Sequence, residues 1–120
     1  MSLSKFVFAL SCICAASLVH AASTLNCPAT LKDGQRVRTL NNASLFEGSP
    51  EQLGDLMPDT NDETVWTLPL YQESAQQRGA ALYMVCRYAK TKKTVTLQVP
   101  QTAKTCSVFV RKGNTFATCE

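Results

Sequence analysis

Apolar and polar positions alternate most regularly in the last forty residues of the chain. In "TVTLQV", Val95, Leu97 and Val99 fall on one side and Thr94, Thr96 and Gln98 on the other, the period of a half-buried strand. "AALYMVCRYA" before it is mostly apolar, as expected of a buried strand. "CSVFVRK" and "TFATC" follow, joined around Gly113-Asn114. Four strands in a row with short polar connections predict an antiparallel meander.

Earlier in the chain the pattern is less regular. Residues 22–31 read as an extended arm containing Cys27-Pro28. "KDGQ" is a turn by its Asp-Gly pair, "RVRTL" a short strand, "NNAS" a loop and "SLFEG" a second short strand. "SPEQLGDLMP" carries helix signals: Ser49 to cap, Pro50 for the first helical position, Gln52 to complete a capping box, and Pro58 to stop. Leu53, Leu56 and Met57 would share its face. "TVWTLPL" alternates with Trp66, Leu68 and Leu70 on one side, a half-buried strand, and "YQESAQQRG" reads as an exposed loop. The predicted class is mainly β: a small α+β domain with an antiparallel meander sheet and one short helix.

The first residues change the count of everything that follows. Lys5 precedes an apolar run over residues 6–19, and Val19-His20-Ala21 suits a signal peptidase. The run is shorter than the roughly 20 apolar residues that span a bilayer. Residues 1–21 are therefore expected to be a cleaved signal peptide and residues 22–120 a single exported domain, with no stable membrane insertion after cleavage. Cys12, Cys14 and the sole histidine, His20, leave with the signal. Four cysteines remain: Cys27, Cys86, Cys106 and Cys119. An even count in a small exported domain predicts a disulfide framework.

Register arguments narrow the three available connectivities. With a turn at Thr91-Lys92, Cys86 lies opposite Leu97, Met84 opposite Val99 and Tyr88 opposite Val95, all on the apolar face. Cys86 then points inward and Arg87 outward, and Cys27 on the arm is the favoured mate. With Lys112-Gly113 as central turn residues, Cys106 falls opposite Cys119 and a bridge is feasible. A turn at Gly113-Asn114 would shift that pairing by two and put the two cysteines on a diagonal.

The loss of His20 removes the imidazole from any Ser-His-Asp or Cys-His device and from histidine-containing zinc sites. "DTNDE" (59–63) lacks the sixth-position glycine of a calcium loop, and Leu70 stands where the bidentate glutamate belongs. Glu47 and Glu51 show no spacing that suggests a glycosidase pair. No catalytic residue, cofactor or metal is expected, and the chain is read as a non-enzymatic binding protein.

Charge is segregated. Glu47, Glu51, Asp55, Asp59, Asp62, Glu63 and Glu73 precede Arg78, with no Lys or Arg among them. From Arg78 to Cys119 there are eight bases and no acid. The exported part carries eleven bases against nine acids, a near balance that speaks against nucleic acid as a partner. In a meander, Lys90, Lys92, Lys93, Arg111 and Lys112 lie at one end of the sheet. They would form a basic rim able to steer a protein partner carrying acidic groups. The acidic stretch from Glu47 to Glu63 is the other candidate face.

"CPATL", "SLFEGSPEQLGDLMPD", "VWTL", "LYMVCRYA", "TVTLQVP" and the closing cysteine occur in an order that resembles a family of small exported proteins of Gram-negative bacteria. The resemblance covers nearly all of residues 26–120. It implies a periplasmic location and a role as an immunity protein, associated with type VI secretion, that inhibits a toxin or enzyme acting on the cell wall. It transfers no catalytic residues. An envelope-associated structural protein that binds peptidoglycan or lipid headgroups is the alternative reading.

Overall fold

The computed structural model describes residues 24–52, 54–60 and 63–120. The expected signal segment lies outside the described residues, as do Leu53, Asn61 and Asp62. Two antiparallel sheets make up the fold. The first runs β1 (Leu25–Asn26), β9 (Asn114–Cys119), β8 (Thr105–Arg111) and β5 (Thr64–Thr67) across its width. The second runs β2 (Thr30–Asp33), β3 (Arg36–Glu47), β6 (Leu82–Tyr88) and β7 (Thr94–Gln98), with the short β4 (Asp55–Leu56) beside the far half of β3. The expected mainly β, antiparallel, disulfide-bonded class is what the chain adopts. Its four C-terminal strands form two hairpins, β6–β7 and β8–β9, and each hairpin belongs to a different sheet.

The core lies between the sheets. Trp66 and Cys106 from the first, Leu68 just after β5, and Leu45, Leu82, Met84 and Cys86 from the second are essentially inaccessible. Trp66 in β5 also donates its indole N–H to the carbonyl of Leu56 in β4, at 2.9 Å, so a polar link crosses the same gap. Both expected disulfides are present, Cys27–Cys86 and Cys106–Cys119. Cys27 continues the β1 arm along β9, where its N–H bonds to Ala117 at 2.9 Å, so its bond to Cys86 ties the first sheet to the second. Cys106 faces Cys119 directly. Thr105 and Glu120 exchange both backbone hydrogen bonds, which makes the adjoining cysteine pair the narrow, non-hydrogen-bonded kind, with Cα atoms 4.0 Å apart.

Several local expectations are corrected. "RVRTL" and "SLFEG" belong to one long strand, and "NNAS" is a bulge within it. The register slips between Leu40 and Asn42, and the Asn42 side chain takes the N–H of Ala43 at 2.8 Å. The helix expected over residues 49–58 is a single 3₁₀ turn, Pro50–Gln52. After it the chain turns back as β4, because Gly54 packs against β3. Its carbonyl accepts from Glu47 N–H at 2.9 Å, and any Cβ there would collide with the Glu47 carbonyl oxygen.

The helix lies instead in the segment read as a loop: α1, Pro69–Gln77. Pro69 starts it, which also turns Leu70 out of the expected strand face to 79 % exposure. Gln72 and Ala75 are buried, and the Gln72 amide donates to Pro100 at 3.0 Å. At the C-terminus Ala80 N–H bonds to Ala75 and Gly79 N–H to Gln76, with Gly79 at φ 65°. This double closure needs a left-handed residue, which glycine supplies without strain.

The β6–β7 register is also displaced by two residues. Cys86 opposes Val95 and Met84 opposes Leu97, rather than Leu97 and Val99. Ala89 bonds to Thr39 of β3, and Lys90 takes a left-handed turn at φ 60°, so the loop is centred earlier than Thr91-Lys92. An even shift leaves every side chain on its expected face. Cys86 is buried, and Arg87 is exposed with its Nε donating to Ser44 Oγ at 3.2 Å.

Candidate partner-binding surfaces

The five predicted cations fall on two separate hairpins. Lys90, Lys92 and Lys93 occupy the exposed β6–β7 loop, while Arg111 and Lys112 stand at the exposed β8–β9 turn. Because the hairpins belong to different sheets, a common sheet end no longer joins them into one rim. Lys93 is already partnered, its Nζ 3.4 Å from Asp33 Oδ1 on β2. Hydrogen bonds from Thr91 and then from Lys93 hold the Asp33 carboxyl below its ordinary range, reinforced by the charges of Lys93 and Arg38. Asp33 thus fastens the loop to the β2–β3 hairpin and leaves Lys90 and Lys92 as its outward cations.

The acidic stretch is likewise partly engaged. Arg78 Nη2 reaches Glu47 at 2.7 Å and Ser74 Oγ at 2.8 Å, so the acid at the end of β3 is tied to the end of α1. Asp59 accepts from the Thr67 N–H at 2.9 Å and its hydroxyl at 2.6 Å, holding the loop to β5. Glu51, Asp55 and Glu63 remain exposed. A polar cleft of about 870 Å³ opens beside the Arg78–Glu47 pair, with Gln52, Gln76, Tyr83 and Gln101 on its walls.

The β8–β9 hairpin presents a surface that the charge pattern did not disclose. Phe109 and Phe116 are direct cross-strand partners. Their rings stack at 5.4 Å between centroids, and the Arg111 guanidinium sits 5.4 Å above the Phe109 ring. The signal was available in the sequence. With Cys106 facing inward, strand alternation sends Phe109 outward. On the opposite face, Val108 packs on the core but Val110 is 69 % exposed. This cluster combines aromatic rings and an arginine, the residue types that anchor protein interfaces.

A sequence profile of the type VI secretion system Tli immunity proteins matches residues 33–120, and the chain belongs to that family. No curated protein and no solved structure matches the chain. Family membership gives the chain the role of an immunity protein against a type VI secretion toxin, with a toxin protein as its partner. The matched segment holds the β6–β7 and β8–β9 hairpins and three of the four disulfide-bonded cysteines, with Cys27 upstream of it.

Proposed function

We propose that the chain is exported to the periplasm, with residues 1–21 removed as a signal peptide, and that residues 22–120 act there as a non-enzymatic inhibitor of a toxin directed at the cell wall. The observation that carries this reading is the family match over residues 33–120. The two disulfides support it, because such bonds persist in oxidising compartments and are rare in the cytosol. A fold stapled across its core offers pre-formed surfaces, and binding then loses little to ordering. Lys90, Lys92, Arg111 and Lys112 are the cations that would meet the toxin, with Lys93 contributing mainly through its hold on Asp33.

Charge reversal tests this assignment. The Lys90→Glu/Lys92→Glu variant should retain the fold, since both side chains lie on an exposed loop. It should bind its type VI secretion toxin more slowly and with a weaker dependence on salt, as expected when steering charges are lost. Association kinetics unchanged at low salt would show that the loop only serves solubility.

A further inference from the structure

We propose that the tip of the β8–β9 hairpin is a finger that inserts into a concave, apolar cleft of the toxin whose rim carries carboxylates. The proposal rests on the immunity reading and specifies its contact. The first observation is that the tip stands clear of the sheet. β5 pairs along β8 only as far as Val108, and the β1 arm bonds along β9 only as far as Ala117. Beyond those points the two strands have only each other as paired neighbours.

The second observation is exposure on both faces. Phe109 at 36 % and Phe116 at 41 % lie on one face, and Val110 at 69 % on the other. A flat partner could cover only one face, so desolvating all three requires walls on both sides. Clefts with apolar walls are the common form of enzyme active sites. The finger is also pre-shaped. Lys112 and Gly113 both take positive φ, 51° and 76°, the two-residue turn whose twist matches that of the strands, and the stacked rings stiffen it.

The third observation sets the partner's charge. Arg111 and Lys112 flank the rings, and no acid occurs between Arg78 and Cys119. Arg111 is exposed and its guanidinium lies over the Phe109 ring, so a carboxylate of the partner could meet it in bidentate fashion. Among the described residues, Glu63 is the one acid lining the groove at the base of the hairpin, beside Val65 and Phe109.

Titration calorimetry with the purified type VI secretion toxin that the chain neutralises tests the finger. Wild type is compared with Phe109→Ser/Phe116→Ser, Val110→Asp, Arg111→Glu and, as a control on a distant exposed apolar residue, Leu70→Ser. Affinity should fall by about 100-fold or more in the double variant and by about 10-fold or more in each of the next two. Leu70→Ser should stay within about twofold, since surface substitutions outside an interface are near neutral. Near-ultraviolet dichroism checks folding. If the double variant does not fold, Val110→Asp and Arg111→Glu decide. Wild-type binding that all folded finger variants retain overturns the finger and leaves the immunity reading standing. Absence of wild-type binding overturns both. A self-associated wild type made monomeric by the double variant, with toxin affinity unchanged, assigns the face to a second copy and also overturns it.

Discussion

Cys27 is bonded to Cys86 59 residues further along the chain, with Cα atoms 5.8 Å apart, and the bond joins an edge arm of one sheet to an inner strand of the other. Cys106–Cys119 lies within one sheet and closes a separation of only 13 residues. The chain-entropy model assigns about 4 kcal/mol to the first and about 3 kcal/mol to the second. Replacing Cys27 and Cys86 by Ala should therefore lower unfolding free energy in urea by more than replacing Cys106 and Cys119. The equilibrium curves of the two double variants check this ordering.

Tyr88 links the same elements by hydrogen bond, its hydroxyl donating to Pro28 at 2.7 Å. Burial raises the Tyr88 pKa above its ordinary 10.0. The folded state therefore holds this proton more tightly than the unfolded chain does. The contribution is complete below pH 10.0 and is lost as pH rises toward the folded-state value. Tyr88→Phe should be less stable at neutral pH by about 1 kcal/mol and should lack this part of the alkaline decline. Thermal melts from neutral pH to about pH 11 measure both effects.

Gly54→Ala should destabilise the fold by about 1–3 kcal/mol, because the added methyl meets the Glu47 backbone rather than a movable side chain. Calorimetric melting reads the loss. A melting temperature equal to wild type would contradict the close approach of Gly54 to Glu47.

Lys112→Asn should raise stability by about 0.5 kcal/mol, since asparagine tolerates the left-handed conformation that lysine adopts there at some cost. The same change removes a cation from the hairpin tip. Higher melting temperature together with weaker toxin binding is the expected pair of outcomes, by calorimetry and titration on one sample.

Where side chains alternate cleanly, the fold was legible. The inward set Cys86, Met84 and Tyr88 survived a register error of two because the strand period is two. The Cys106–Cys119 pairing followed from the turn at Lys112-Gly113. The helix was misplaced because its local signals pointed elsewhere. α1 is polar along most of its length and buries only Gln72 and Ala75, so little apolar periodicity marks it. "SPEQLGDLMP" has the caps of a helix, yet Gly54 draws the chain into contact with β3, an influence outside the local pattern. The charged residues were visible as residues, but not their mates. That Lys93 meets Asp33 and Glu47 meets Arg78 depends on which hairpins and helix ends adjoin. The outward direction of Phe109 and Phe116 is readable by parity from Cys106, but their exposure depends on β5 and the β1 arm ending at Val108 and Ala117, which local pattern does not carry.

Protection inside the periplasm tests the proposed role most directly. Cells that direct the cognate type VI secretion toxin into their own periplasm would carry either the full chain or residues 22–120 without a leader. Growth should be rescued by the full chain, and the protein recovered from the periplasm should begin near Ala22. The leaderless form should give no rescue. Equal rescue by the leaderless form, or none by the full chain, would contradict periplasmic immunity.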